Sequence, residues 1–197
     1  PSAPNFLDAF YGDSKELLHK GPNGEKYIFT IVDKATKYPW SFPHKSFTDL
    51  PRLLERQIIQ ILDFARFAVG IEDPLIKRFY LDGHPTQKAL TTTCVTEIQS
   101  MLYHHKIYTP PTSPGNHKEM GIVERMHRQI DKNAKTIFHE CGRGLPESCY
   151  IHAYEHASKV QRTLLNRNNM ASSFELVFGR EPDINIDVPY PTLFSTG

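Results

Sequence analysis

The chain has 197 residues, and 23 Lys and Arg against 22 Asp and Glu leave a net charge of +1. That balance excludes a polybasic tail or a histone-like carpet of charge, though not a local basic patch, and 39% hydrophobic with 23% charged residues excludes a disordered chain. No apolar run reaches membrane-spanning length, no signal-peptide pattern opens the chain, and the three cysteines Cys94, Cys141 and Cys149 form no CxxC pair. The cysteines therefore argue against a disulfide framework or a zinc knuckle and point to a reducing, intracellular setting. The start on Pro1 without a Met reads as a piece of a longer protein.

Asn5–Phe10 reads as a short first strand, followed by a loop from Gly12, Asp13 and Ser14 to Gly24. Lys26–Asp33 is aromatic and β-branched, which predicts a second strand. Thr36–Phe42 is the third, and Pro39 within it marks an edge or a bulge. A helix follows, with Leu50, Leu53, Leu54, Ile58, Ile61, Leu62 and Ala65 at helical spacing and Ser46 or Thr48 as its cap. Leu75–Asp82 is a fourth strand ending in an acid. Thr92–Tyr103 is a helix, Lys106–Thr109 a short fifth strand, and Glu119–Cys141 and Glu147–Leu165 are long helices. Ser172–Phe178 is a last short helix before an irregular tail. This order predicts an α/β, ribonuclease-H-like fold: a five-stranded mixed sheet flanked by helices, with extra C-terminal helices. Residues 1–168 form the core and 169–197 an extension of it.

Three acids stand at informative places: Asp8 in the first strand, Asp82 at the end of the fourth, and Glu124 in the early turns of the helix from Glu119. Clustered carboxylates repel one another unless cations neutralise them. Hard oxygen ligands select Mg²⁺ or Mn²⁺, and two such ions serve in-line phosphoryl transfer. Spacing alone does not select these acids, because Asp33 also ends a strand and Glu97 and Glu119 are available. Around Glu124, Val123, Met126, Ile130, Ala134 and Ile137 form a seam that packs on a sheet, with Glu124 at its border. Arg128, Lys132 and Lys135 follow on nearly the same face. They make either a row for a nucleic-acid backbone or ordinary surface pairs.

Gly121–Lys132 (GIVERMHRQIDK) resembles the G-[VI]-[VA]-E-R-x-[NH]-R signature of retroviral and retrotransposon integrases, with the copia-type (pseudovirus) elements most alike. Phe6–Gly12 (FLDAFYG) resembles the family's first acid block. Tyr27–Pro43 is similar to its second and third strands, and Phe174–Ile184 to the P-x-E-x-x-x-G-x-x-P block after the core. The resemblance implies Asp8, Asp82 and Glu124 as catalytic, metal-binding residues and Asp33 as a strand-end residue. It further implies two Mg²⁺ or Mn²⁺ ions and a strand transferase joining element DNA ends to target DNA. Asp8 and Asp82 then bridge the ions and Glu124 completes the second. Arg125, Arg128, Lys132 and Lys135 become DNA contacts. The partners implied are double-stranded DNA and further copies of the chain, in the nucleus and without a membrane. After Asp82 the sequence Gly83-His84-Pro85-Thr86 departs from the family's x-G-x-E. That departure motivates the alternative, a domesticated or inactive core acting as a DNA-binding or dimerisation module.

Other constellations are weaker. Cys149, His152 and His156 share a helix face but lack a fourth zinc ligand, and His127, His139 and Cys141 are less regular. His104-His105 suits a helix end, Trp40 suits packing, and Tyr108, Pro110 and Pro111 suit a strand exit. There is no Gly-rich phosphate loop and no GxSxG elbow.

Overall fold

In the computed structural model, which describes residues 5–81, 92–110, 117–141, 144–166 and 170–187, three antiparallel strands form a meander. They are β1 (Ala9–Glu16), β2 (Tyr27–Asp33) and β3 (Pro39–His44). A fourth strand, β4 (Arg78–Leu81), joins β1 in parallel after the helix α1 (Leu50–Phe67), so the sheet order is β3-β2-β1-β4. Then come α2 (Thr92–His104), α3 (His117–Cys141), a single 3-10 turn at Glu147–Cys149 and α4 (Tyr150–Thr163). A two-stranded ribbon of β5 (Leu165–Asn166) and β6 (Ala171–Ser172) leads to the short helices α5 (Ser173–Phe178) and α6 (Ile184–Asp187).

The first strand lies further along the chain than its composition predicts. Gly12, Asp13 and Ser14 are turn formers, yet they pair with Ile31, Thr30 and Phe29 in mid-ladder. Gly12 is there for close packing: a Cβ at this position would meet the Phe79 ring at 2.7 Å and the Phe29 ring at 2.8 Å. Among the described residues the main sheet has four strands, not five. The expected fifth is reduced to Tyr108, which bridges Arg78, with Phe79 N donating to Tyr108 O at 2.9 Å. Lys106 at φ 59° turns the chain into this bridge, and Pro110 just beyond it has no amide to extend a ladder.

Helix α1 covers one face of the sheet with Leu50, Leu54, Ile58, Ile61 and Ala65 buried. Each buried Leu or Ile stabilises the fold by about 1.5–3 kcal/mol. Phe10, Phe29, Ile31, Trp40 and Phe79 meet it from the sheet, with Ile98 and Leu102 of α2. The other face presents Tyr11, Ile28 and Val32 to α3 and α4. The predicted α3 seam holds, since Val123, Met126, Ile130 and Ala134 are buried there and Ile137 is partly so. Ser172 caps α5 with a full capping box to Glu175, and Gly179 at φ 67° ends it.

Candidate functional site

Asp8 lies in a turn just before β1 rather than within a strand. Its Oδ1 pairs with Lys77 Nζ and its Oδ2 accepts the Asn5 amide at 2.8 Å. The bond from Lys77 holds the carboxyl below the usual Asp range. Lys77 immediately precedes β4, so Asp8 sits at the N-terminal end of both paired strands. Asp82 lies outside the described residues. The strand leading to it ends at Leu81, abreast of Gly12, so the β1 residue at that end is Asp13. The register therefore separates Asp8 from the C-terminal end of β4 and brings Asp13 to it.

Asp13 is 7% exposed and faces α3. The Ser14 amide donates to its Oδ1 at 2.7 Å, and His127 Nε2 stands 3.6 Å from its Oδ2. His127 is one turn along α3 from Glu124, which is exposed. Its Nδ1 is 2.9 Å from the Tyr154 hydroxyl of α4. Burial first, then nearby Lys15, push the His127 imidazole down to about 4. It is therefore neutral at physiological pH, and its approach to Asp13 is a dipole contact rather than an ion pair. The alternation Tyr11, Asp13, Lys15 was the available signal for Asp13. It was obscured because both faces of β1 are buried, so no polar face contrasts with an apolar one.

Arg125, Arg128, Lys132 and Lys135 are all exposed on α3. Arg125 Nε donates to the Gly121 carbonyl at 2.9 Å, and Lys135 pairs with Asp131 at 2.9 Å. Asp131 also holds Lys15 at 3.0 Å and accepts the Tyr150 hydroxyl at 2.8 Å, so Lys135 belongs to a local network. Asp33 is a fold residue: it accepts from the Leu7 and Thr36 amides and the Thr36 hydroxyl, tying the β2–β3 turn to the start of β1. Its burial raises its pKa.

Among the described residues Cys149, His152 and His156 do not gather as a zinc site, and the side chain of Cys141 lies outside those residues. Cys149 sits at the N-cap of α4 and His152 pairs with Glu155 at 3.4 Å. Among the described residues, no group of three or more His, Cys, Asp or Glu side chains gathers as a metal site. Trp40 is a packing residue, ringed by Phe6, Phe10, Tyr38 and Phe64. His105, at the end of α2, contacts Glu55 at 3.0 Å.

No family model and no curated protein matches the sequence. Solved structures do match. The magnesium complex of the HTLV-2 integrase catalytic core in trimeric form has a TM-score of 0.58 at 16% identity, covering 89% of this chain and 99% of that one. The chain has the fold of an integrase catalytic core. The dimeric form of the same core matches with a TM-score of 0.59 at 16% identity over 89% and 99% of the two chains. A chain of the simian T-cell lymphotropic virus intasome, in complex with the PP2A regulatory subunit B56 gamma, reaches 0.63 at 16% identity over 93% of this chain and 60% of that one. The likeness is one of mixed α/β architecture around a four-stranded sheet. No described helix is long and apolar enough to cross a membrane.

Proposed function

We propose that the chain is the catalytic core of a copia-type retrotransposon integrase, joining element DNA ends to target DNA by metal-dependent polynucleotidyl transfer. Its acids in this reading are Asp13, Asp82 and Glu124, with Asp13 in place of Asp8. The observation that carries the reading is the convergence of β1, β4 and α3 at Asp13: the parallel register runs up to Gly12 and Leu81, and His127 meets Asp13 one turn beyond Glu124. Tyr11 and Tyr80 stack on the α3 face at 4.8 Å, and Asp13, two residues beyond Tyr11, lies on that same face. Asp8, satisfied by Lys77 and Asn5 at the far strand end, suits the role poorly.

The donor set fits magnesium. Carboxylate oxygens are hard ligands, and neutral His127 brings no charge to balance Asp13. Two bound Mg²⁺ or Mn²⁺ ions supply Lewis-acid stabilisation to the attacking and leaving oxygens of an in-line transfer. The chain's own part is to hold Asp13 where β1 runs beside the C-terminal end of β4, with Glu124 on the neighbouring α3. Arg125, Arg128 and Lys132 along exposed α3 bind the phosphate backbone, and Lys135 contributes less because it shares Asp131. Double-stranded DNA and further copies of the chain are the partners, and the nucleus is the place of action. The dimeric and trimeric forms named for the HTLV-2 cores and the intasome of the simian virus support the multimer.

The test is a strand-transfer assay with Mg²⁺ on folded variants. Asp13→Asn, Asp82→Asn and Glu124→Gln are each expected to abolish joining, while Asp8→Asn keeps it. Loss with Asp8→Asn and retention with Asp13→Asn restores Asp8 as the first acid. Calorimetric titration with Mn²⁺ addresses the other reading: no metal heat with DNA binding intact identifies a domesticated binding module.

A further inference from the structure

Cross-strand pairing aligns Asp13 of β1, Thr30 of β2 and Ser41 of β3 in one row. The row crosses the sheet face that α3 and α4 cover, between the apolar Tyr11, Ile28 and Val32. Buried polar groups in such a setting cost stability that apolar side chains of similar size avoid. Here most of these polar groups have partners, while His127 Nε2 is buried without a hydrogen-bond partner. Ser158 of α4 donates its hydroxyl to Ser41 Oγ at 3.0 Å, and Ser41 and Thr30 hydroxyls are 2.9 Å apart. The Tyr154 hydroxyl meets His127 Nδ1 at 2.9 Å, with Thr30 close enough to act on it.

The directions of these bonds can be assigned. A carboxylate only accepts, so the ring nitrogen facing Asp13, Nε2, carries the proton. Nδ1 then accepts, and Tyr154 donates to it. Thr30 accepts from Ser41, and Ser41 from Ser158. Ser41 accepts once and donates once, so the hydroxyl dipoles run from Ser158 toward Thr30. Such runs polarise one another cooperatively. At 3.6 Å from Oδ2, Nε2–H is beyond hydrogen-bond length and acts as an oriented dipole toward the carboxylate.

We propose that Tyr154 is a positioning residue for the Asp13 carboxylate, acting through His127 by fixing its ring tautomer and orientation. This rests on the reading of Asp13 as a metal-holding acid. Thr30 is the next link, and Ser41 and Ser158 are the remote end.

The experiment pairs two readouts on the full chain. Nitrogen NMR of the histidine rings, without metal, is expected to show His127 protonated at Nε2 in the wild type and as a tautomer mixture in Tyr154→Phe. In strand transfer, Tyr154→Phe is expected to need roughly 10–100-fold more Mg²⁺ for half-maximal rate, the size typical of lost outer partners of metal ligands. A purely structural role would lower stability without moving that midpoint. Thr30→Val is the second variant, expected to shift both readouts in the same direction by less, and it decides the matter if Tyr154→Phe does not fold. An unchanged tautomer and midpoint in the folded variants, with Asp13→Asn inactive, overturns the positioning role and leaves the metal-site reading standing. Full transfer by Asp13→Asn overturns both.

Discussion

On the face covered by α1 and α2, the sheet presents Phe10, Phe29, Ile31, Trp40 and Phe79. On the face covered by α3 and α4, it presents Tyr11, Ile28 and Val32, broken by Asp13, Thr30 and Ser41. The first face is held by area and ring contacts, such as the edge-to-face pair of Phe10 and Trp40 at 5.6 Å. Those interactions are strong in sum and loose in direction. The second gives up apolar area for hydrogen bonds that tolerate little displacement. The difference teaches that one sheet can divide its labour: one face secures the fold while the other holds a carboxylate in a set orientation.

The sharpest way to break this comparison is Phe29→Ala, which removes the centre of the aromatic face. It is expected to cost about 3–5 kcal/mol in urea unfolding. A loss below about 1 kcal/mol would mean that face does not secure the fold. Next comes Gly12→Ala, whose added methyl runs into the Phe79 and Phe29 rings. Overpacking of this kind costs about 1–3 kcal/mol, read as a lower urea midpoint. A neutral result would show that the rings retreat easily.

The smallest expected effect concerns His44, the polar exception on the aromatic face. Its Nε2 accepts from the Ser14 hydroxyl at 2.8 Å and its Nδ1 donates to the Ser46 carbonyl at 3.0 Å, so both nitrogens suit a neutral ring. Burial lowers its pKa in the fold. Below the unfolded value of about 6.5 the unfolded chain takes up a proton that the fold refuses. Stability is therefore present above that pH and declines as pH falls toward the lowered folded value. His127 and His156 shift in the same direction, so the wild-type curve contains all three. The difference between wild type and His44→Gln isolates one, and the variant should lose less stability on acidification from pH 7 to 5. Parallel curves would show that His44 does not titrate with folding.

Much of the architecture was legible in the sequence because it is written in periodicity. The α1 and α3 seams follow helical spacing and bury for the most part as read, with Leu53, Leu62 and Ile137 only half-buried. The β2 strand was marked by its aromatic and β-branched residues. Strand β1 was not legible past Phe10, since Gly12-Asp13-Ser14 carries the local chemistry of a turn and only the partner strands on either side force it to extend. With the strand placed at Asn5–Phe10, Asp8 is the acid inside it, whereas the observed strand carries Asp13. The Tyr154 to Ser41 run was beyond sequence reading altogether, because its members come from β2, β3, α3 and α4 and meet only through tertiary packing.

The parallel pairing of β1 with β4 has a consequence in time. The meander of β1, β2 and β3 closes through short turns, whereas β4 reaches β1 only after the whole of α1 has been laid across the sheet. Closing long loops carries a larger entropy cost, and non-local pairings form slowly. The meander is thus expected to form ahead of the Tyr11–Tyr80 stack, which reports arrival of the last strand. A chain emerging from synthesis would own the meander before it owned the β1–β4 edge beside Asp13.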